Sequence, residues 1–280
     1  MSGPWTATTV EHSGLTFDVH LAGPSDGTPV LLLHGFPQSA LSWTGVAERL
    51  AAEGLRVIAP DQRGYSPGAR PPEVEAYAMP VLADDAVGIA RALGHDRVHL
   101  VGHDWGAAVA WLAAATRPEA FLSLTALSIP HLAAFNAALR TDAEQQRRSE
   151  YFVLFRQEGK AEQVLMAEDA TRLRALYQGA VPSDHVEQYV ALLRDGALTP
   201  ALSWYRAMTG EVADLAPVVL PTTYVWGDDD LAVAPAAARA CGDHVRADYR
   251  FVELPGVGHW TPDAEPEVVA REISLRVAGD

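Results

Sequence analysis

Short, continuously apolar runs that alternate with helical segments restrict the fold of this chain more than any other feature. Pro29–Leu33 and Val98–Val101 are two such runs, and neither shows the period-2 alternation of a half-buried strand. Runs of this kind suit strands buried on both faces of a parallel sheet. With helical patterns such as Pro80–Leu93 between them, they predict a doubly wound α/β sheet that receives ligands at the carboxyl ends of its strands. The predicted strands are Thr6–Val10 and Leu15–Ala22, an antiparallel edge pair, followed by Pro29–Leu33, Val57–Ala59, Val98–Val101, Leu122–Ile129, Thr222–Trp226 and Tyr249–Leu254.

A long stretch in the middle of the chain breaks this rhythm. Residues 131–218 carry helix signals and no convincing strand pattern. Thr141 and Glu144, for example, have the spacing of a capping box at the start of a helix. We therefore expect a core domain made of residues 1–130 and 219–280, with an all-helical lid inserted over the active edge of its sheet.

Composition excludes several classes of partner. The chain has 36 acidic residues against 21 Lys and Arg, a formal charge of -15, so it should repel nucleic acid and anionic membranes. One cysteine, Cys241, allows neither an intramolecular disulfide nor a cysteine-based metal cluster. We see no secretory signal, and no apolar run approaches the ~20 residues that span a bilayer. These features predict a soluble, cytoplasmic protein.

The strongest local motif is Gly102-His103-Asp104-Trp105-Gly106. It follows a buried strand and opens a helix, which is the setting of a nucleophile elbow. Small residues two before and two after the central residue let strand and helix approach closely. The central residue here is Asp104, where an esterase or lipase would have serine. Because aspartate also favours the N-cap of a helix, the motif alone leaves both interpretations open.

Three further motifs follow predicted strands. Backbone N–H groups of the turn His34–Pro37, together with that of Trp105, could form a pair of donors to an oxyanion. Asp228–Asp230 and His259 follow the next-to-last and last strands, and taken singly they are typical of a solvated loop and a turn. A parallel sheet would bring Asp104, one of the three acids and His259 to the same edge. Their order is that of the α/β-hydrolase triad: nucleophile, acid, histidine.

These motifs together resemble those of a known family, the soluble epoxide hydrolases of the α/β-hydrolase superfamily. The resemblance spans about residues 10–277 and is carried by His34-Gly35-Phe36-Pro37, Asp61-Gln62-Arg63-Gly64-Tyr65, Gly102-His103-Asp104-Trp105-Gly106 and Gly258-His259-Trp260. It implies the α/β-hydrolase fold, a mostly parallel twisted sheet with an inserted helical lid. It also implies the hydrolysis of a small apolar epoxide by water to a vicinal diol, with no metal and no organic cofactor.

A carboxylate nucleophile suits this chemistry. Epoxides and alkyl halides present a saturated carbon, and a carboxylate is already ionised at neutral pH without help from a base. The resemblance implies an alkyl ester on Asp104, which a water activated by His259 then hydrolyses. The N–H groups of Phe36 and Trp105 would receive the oxyanion. The spacing of the family's acid nominates Asp230 to orient His259, with its two acidic neighbours as alternatives.

In the family, two lid tyrosines donate to the leaving epoxide oxygen. Residues 203–208 resemble the second tyrosine motif and nominate Tyr205, whereas residues 151–158 resemble the first and nominate Tyr151. Both tyrosines could instead be packing residues of lid helices. Tyr151 and Phe155, for instance, have the i,i+4 spacing of contacting side chains on one helix.

Two other functions remain as alternatives. The first is a haloalkane dehalogenase, which uses the same nucleophile but typically has Asn where this chain has Phe36. Fluoroacetate dehalogenases, which also share the nucleophile, typically have Arg where it has Trp105, so the chain lacks the mark of either dehalogenase. A ligand-binding member of the fold without turnover is the other alternative. The intact set of Asp104, Asp230 and His259 argues against it.

Overall fold

An eight-stranded sheet forms the centre of the protein, whose computed structural model describes residues 4–208 and 215–279. Its strands are β1 (Thr6–His12), β2 (Leu15–Ala22), β3 (Pro29–Leu33), β4 (Arg56–Pro60), β5 (Val98–His103), β6 (Phe121–Leu127), β7 (Thr222–Gly227) and β8 (Tyr249–Leu254). The spatial order is β1-β2-β4-β3-β5-β6-β7-β8. Strands β3 to β8 pair in parallel, whereas β2 is antiparallel to both β1 and β4. The predicted fold class and the antiparallel edge pair are confirmed.

The apolar runs become strands because helices cover both faces of the sheet. Outside the segment between β6 and β7, the helices are α1 (Thr44–Ala52), α2 (Met79–Ala92), α3 (Trp105–Thr116), α10 (Pro235–Arg239), α11 (Thr261–Ala264) and α12 (Pro266–Ala278). In β3, Leu31 and Leu33 belong to the core that includes α2 and α3, whereas Val30 and Leu32 belong to the core with α1 and α12. Successive side chains thus enter different cores, and each buried aliphatic side chain contributes ~1.5–3 kcal/mol. This is why the run has no polar alternation.

Between β6 and β7, the described residues, 128–208 and 215–221, contain six α-helices. They are α4 (Leu132–Thr141), α5 (Ala143–Arg148), α6 (Tyr151–Phe155), α7 (Lys160–Ala175), α8 (Ser183–Leu192) and α9 (Leu198–Arg206). Residues 131–208 contain no strand, as the helix signals predict. Within residues 4–208 and 215–279, no helix combines the length and the apolar character that crossing a membrane requires.

One helix start in this segment differs from the prediction. Thr141, expected to cap a helix, is the last residue of α4. The capping residue is Asp142, whose carboxylate accepts a hydrogen bond from the N–H of Gln145 at 2.7 Å. The expected cap is therefore wrong by one residue, because a neighbouring aspartate is at least as good an N-cap acceptor as threonine.

Hydrogen bonds fasten the helical segment to loops that follow the carboxyl ends of strands. The indole N–H of Trp204 donates to the carbonyl of Arg63 at 3.0 Å, in the loop after β4. The hydroxyl of Tyr177 donates to the carbonyl of Pro37 at 2.9 Å, in the loop after β3. The segment therefore covers the edge of the sheet at which doubly wound folds bind ligands.

Candidate active site

Asp104 stands on a sharp turn between β5 and α3. Its φ of 52° and ψ of -122° lie in a region that costs an L side chain ~1–3 kcal/mol. A Cβ built on Gly102 would lie 2.2 Å from the carbonyl oxygen of Gly106, and one on Gly106 would lie 2.1 Å from the carbonyl oxygen of Leu33. Residues without a Cβ atom are therefore required at positions 102 and 106 for β5, α3 and β3 to approach this closely. This is the geometry of the predicted nucleophile elbow.

The carboxylate of Asp104 does not cap α3. Among the described residues, no hydrogen bond joins this side chain to the helix that it precedes. Its Oδ1 atom instead accepts from the backbone N–H of Phe36 at 2.8 Å, in the loop after β3. Gly35 makes this approach possible, because a Cβ there would lie 2.4 Å from the same carboxylate oxygen. Asp104 therefore occupies the N-cap position of α3, but its side chain does not serve as the cap.

Phe36 and Trp105, the two expected backbone donors, flank Asp104 from different elements. The N–H of Phe36 already contacts the carboxylate. Trp105 is the first residue of α3, and the first N–H groups of a helix have no acceptor within it. Both donors thus lie at the switch point of the sheet, where β4 and β5 flank β3 on opposite sides.

His259 lies between two carboxylates. Its Nε2 atom is 3.4 Å from Oδ2 of Asp104, and its Nδ1 atom is 2.9 Å from Oδ1 of Asp230. All three side chains are buried, with 2%, 5% and 1% of the surface of His259, Asp104 and Asp230 exposed. Burial lowers the pKa of His259, but the charge of Asp230 and the hydrogen bond and charge of Asp104 outweigh it and raise the pKa to about 10. The imidazole is therefore a cation at neutral pH.

Asp230 is the acid that faces His259. Of the three consecutive aspartates, Asp228 and Asp229 are exposed and Asp230 is buried. Its Oδ1 atom accepts from the N–H of Ala232 at 2.7 Å. Burial raises the pKa of Asp230, but the charge and hydrogen bond of His259 lower it below its ordinary value. The carboxylate therefore stays ionised inside the protein.

Ser128 is a member of this cluster that sequence reasoning missed. The strand expected over Leu122–Ile129 ends at Leu127, because Ser128 turns out of it with a φ of 67°. The Oγ atom of Ser128 lies 2.6 Å from Oδ2 of Asp230 and 2.9 Å from Nδ1 of His259. The one signal in the sequence is a hydroxyl residue near the carboxyl end of a strand, and its apolar neighbours on both sides concealed it.

Tyr151, in α6, and Tyr205, in α9, line a cavity together with Asp104. Their ring centroids are 6.1 Å apart. Burial raises the pKa of both phenols well above the usual value, and the charge of Asp104 adds to it, so both keep their protons. They also pack as aromatic residues, since the ring of Phe155 lies 5.1 Å from that of Tyr151 and 5.0 Å from that of Tyr205. Both tyrosines therefore pack against Phe155 and still border the cavity.

Two cavities, both lined by Asp104 and Tyr151, lie beneath the helical segment. The first, partly open to solvent, is bordered mainly by apolar side chains of α3, α4 and α6, with the amide of Asn136 as a polar exception. The second reaches Tyr205 and His259. The carboxylate of Asp104 thus borders two cavities whose apolar linings would favour apolar groups of a ligand.

These groups form a site for nucleophilic chemistry. It contains the carboxylate of Asp104 on a strained turn, a charged imidazole beside it and two protonated phenols that border the same apolar space. In residues 4–208 and 215–279, no group of three or more His, Cys, Asp or Glu side chains is arranged to bind a metal ion.

Comparisons with known proteins show which family the chain is similar to. Residues 28–266 match the family described as alpha/beta hydrolase fold. The chain is 30% identical over 276 residues to epoxide hydrolase 3 of Xenopus tropicalis, an alignment that covers 94% of this chain and 75% of that protein. The chain belongs to the epoxide hydrolase family of the α/β-hydrolase superfamily. The resemblance deduced from the sequence motifs is confirmed.

A second relative and a solved structure also resemble this member of the epoxide hydrolase family over most of their length. It is 32% identical over 272 residues to the AB hydrolase superfamily protein YfhM of Bacillus subtilis, covering 94% of this chain and 95% of that one. The crystal structure of epoxide hydrolase A from Mycobacterium thermoresistibile aligns with a TM-score of 0.85 at 26% identity, over 97% of this chain and 98% of that chain. Because these alignments run nearly end to end, the likeness includes the helical segment between β6 and β7.

Proposed function

We propose that this protein hydrolyses epoxides to vicinal diols through an alkyl ester on Asp104. One observation carries the proposal: the carboxylate of Asp104, the imidazole of His259 and the phenols of Tyr151 and Tyr205 all border one largely apolar cavity. Its lining favours epoxides with apolar substituents. In this proposal residues 131–218 act as the lid, and residues 1–130 and 219–280 form the core.

The first step is the attack of Asp104 on a ring carbon of the epoxide. Oδ1 is held by the N–H of Phe36, so Oδ2 is the oxygen that forms the new C–O bond. The ring C–O bond breaks on the opposite side of that carbon, and its electron pair goes to the epoxide oxygen. Tyr205 or Tyr151 gives that oxygen a proton, since an alkoxide is more basic than either phenolate. A positioned acid of this kind typically supplies ~10²–10⁴-fold in rate.

The second step is the hydrolysis of the ester. Alkylation removes the negative charge of Asp104, which is one cause of the raised pKa of His259. The imidazolium of His259 then gives its proton to the phenolate that the first step produced, which restores the tyrosine. Neutral His259 takes a proton from water as that water attacks the carbonyl carbon of Asp104. The oxyanion forms on Oδ1, which already faces the N–H of Phe36, and Asp230 stabilises the imidazolium. When the oxyanion collapses, the bond between the carbonyl carbon of Asp104 and the diol oxygen breaks. The diol oxygen takes the proton of the new carboxylic acid, which restores the carboxylate of Asp104 beside the imidazolium.

A substrate panel tests this function. Purified protein is incubated with styrene oxide, 1,2-epoxyhexane and 1-bromohexane, and both diol and bromide are measured. We expect diol from the epoxides and no bromide. Bromide without diol would identify a haloalkane dehalogenase, and the release of neither product would support a binding protein without turnover.

Two variants test the covalent intermediate. His259→Gln should accumulate a stoichiometric adduct on the peptide that contains Asp104, detected by mass spectrometry after exposure to styrene oxide. Asp104→Asn is the control, because an amide is a poor nucleophile and should give neither adduct nor diol. An active His259→Gln enzyme without adduct contradicts the ester mechanism.

A further inference from the structure

We propose that Ser128 is a positioning residue for the hydrolytic step, in which it holds the Asp230–His259 pair in alignment. The inference rests on the proposed function, because only a reaction with a separate hydrolytic step needs an aligned base. Ser128 lies at the carboxyl end of β6, its hydroxyl contacts both Asp230 and His259, and its side chain is fully buried.

The contacts of the hydroxyl group explain how it would act. Its single proton is donated to Oδ2 of Asp230 at 2.6 Å, so a lone pair of Oγ is left to face Nδ1 of His259 at 2.9 Å. The N–H at Nδ1 therefore meets the serine oxygen as well as the two carboxylate oxygens, at 2.9 and 3.1 Å. A ring with acceptors on two sides of its N–H is restricted in rotation more than one with a single carboxylate partner.

Asp230 also depends on Ser128 for its own orientation. Its Oδ1 atom is anchored by the backbone N–H groups of Ala232 and Val233, at 2.7 and 3.2 Å. Its Oδ2 atom accepts from the hydroxyl of Ser128 and from His259. Without the serine, one side of the carboxylate would depend on the imidazole that it is meant to orient.

The backbone of Ser128 gives independent support. Its φ of 67° lies in the left-handed region, which costs a residue with a Cβ ~1–2 kcal/mol. Two bonds to β7 hold it there: its N–H donates to the carbonyl of Val225 at 3.0 Å, and its carbonyl accepts from the hydroxyl of Tyr224 at 2.6 Å. Glycine would adopt this conformation without strain. A strained serine whose hydroxyl reaches both partners points to a use for that hydroxyl.

The two steps of the reaction should respond differently to loss of the hydroxyl. Asp104 is ionised without a base, so alkylation needs no aligned imidazole. Ester hydrolysis needs His259 at hydrogen-bond distance from the attacking water. Removing the hydroxyl should therefore slow the second step and spare the first.

Single-turnover kinetics test the inference with Ser128→Gly and Ser128→Ala. Both variants lack the hydroxyl, and the glycine variant also relieves the strain. Rapid quenching and mass spectrometry of the alkyl-enzyme should give an alkylation rate constant within ~2-fold of the parent and a hydrolysis rate constant lower by ~10-fold or more, as expected when a positioned base is displaced by less than an ångström. In the steady state, kcat and KM should fall together.

Ser123→Ala is the matched control. Ser123 is a buried serine of β6 whose Oγ lies 2.8 Å from Nδ1 of His99, far along the strand from the site. Its replacement should leave both rate constants unchanged. Two results would overturn the inference but leave the proposed function intact. One is equal slowing of both steps in Ser128→Gly, and the other is a parental rate of ester hydrolysis in both Ser128 variants. A parent protein that forms no adduct on Asp104 overturns the proposed function and the inference with it.

Discussion

The Nε2 atom of His259 lies 3.4 Å from the Oδ2 atom of Asp104, with both side chains buried. Burial lowers the pKa of His259, and this carboxylate is one of the two that nevertheless raise it to about 10. An ester on Asp104 would have no such charge. The proposed reaction therefore converts the histidine from a cation to a base only once there is an ester to hydrolyse.

Asp104→Asn imitates this loss of charge. At an effective dielectric constant of about 20, unit charges ~4 Å apart interact by ~4 kcal/mol, which corresponds to about three pKa units. We expect the pKa of His259 to fall from about 10 by one to three units in this variant. NMR titration of the imidazole Cε1–Hε1 signal would measure it, with His259→Gln to assign the signal. An unchanged midpoint would show that Asp104 does not control this proton.

The same pKa links pH to stability. A histidine in the unfolded chain titrates near 6.5, and His259 in the folded protein titrates near 10, so the folded state binds this proton more tightly. Its stabilising effect is fully present below about pH 6.5 and is lost as the pH rises through about 10. Urea unfolding of the parent should therefore show a falling free energy of unfolding across this window.

His259→Gln should lack this part of the pH dependence, because glutamine does not titrate. The comparison uses urea unfolding of both proteins at pH 6.5, 8 and 9.5, the lower limit being the ordinary pKa of histidine. Parallel stability curves for parent and variant would contradict a raised pKa for His259.

The sheet could be predicted because its physical requirements are visible in short apolar runs. Residues such as Val30 and Leu31 enter cores on opposite faces, and this double burial removes the polar alternation from the sequence. The order of Asp104, Asp230 and His259 could be predicted for a related reason, since parallel strands bring their carboxyl ends to one edge.

Features set by single backbone angles could not be predicted. Ser128 has apolar neighbours and reads as an interior strand residue, but a positive φ directs it to the site. The residues alone do not select Asp230 over Asp228 and Asp229, because adjacent residues in a turn point in different directions; the spacing of the family's acid nominated it. The cap at Asp142 instead of Thr141 is a third case, in which two good capping residues are neighbours.

Replacing Tyr151 or Tyr205 should slow the alkylation of Asp104 and not the hydrolysis of the ester. Tyr205→Phe and Tyr151→Phe each remove one donor to the epoxide oxygen, and we expect the alkylation rate constant to fall ~10²-fold in each and further in the double variant. Hydrolysis of the ester, once formed, should stay within ~2-fold of the parent, because the base and both oxyanion donors are intact. Single-turnover kinetics with styrene oxide measure both constants.

Tyr189→Phe is the control for these variants. Tyr189 is a buried tyrosine of α8 that is not among the described residues lining the two cavities. Its replacement should leave alkylation unchanged. If Tyr205→Phe and Tyr151→Phe behave in the same way as Tyr189→Phe, both tyrosines are packing residues and the donor assignment is wrong.

Gly106→Ala should damage stability and turnover together. The new methyl group would lie 2.1 Å from the carbonyl oxygen of Leu33, and backbone at this position cannot turn aside as a flexible side chain could. Helix α3 must shift away from β3, at a cost of about 1–3 kcal/mol that urea unfolding would measure. The shift also moves Asp104 away from the N–H of Phe36, so kcat/KM of the folded fraction should fall by ~10²-fold.

Gly258→Ala is the matched control for stability, because a Cβ built on Gly258 would lie 3.9 Å from its nearest neighbouring atom, an ordinary contact distance. Equal stability of the two alanine variants would mean that the elbow tolerates a wider separation of strand and helix, and that close approach is not what holds Asp104 in its strained conformation.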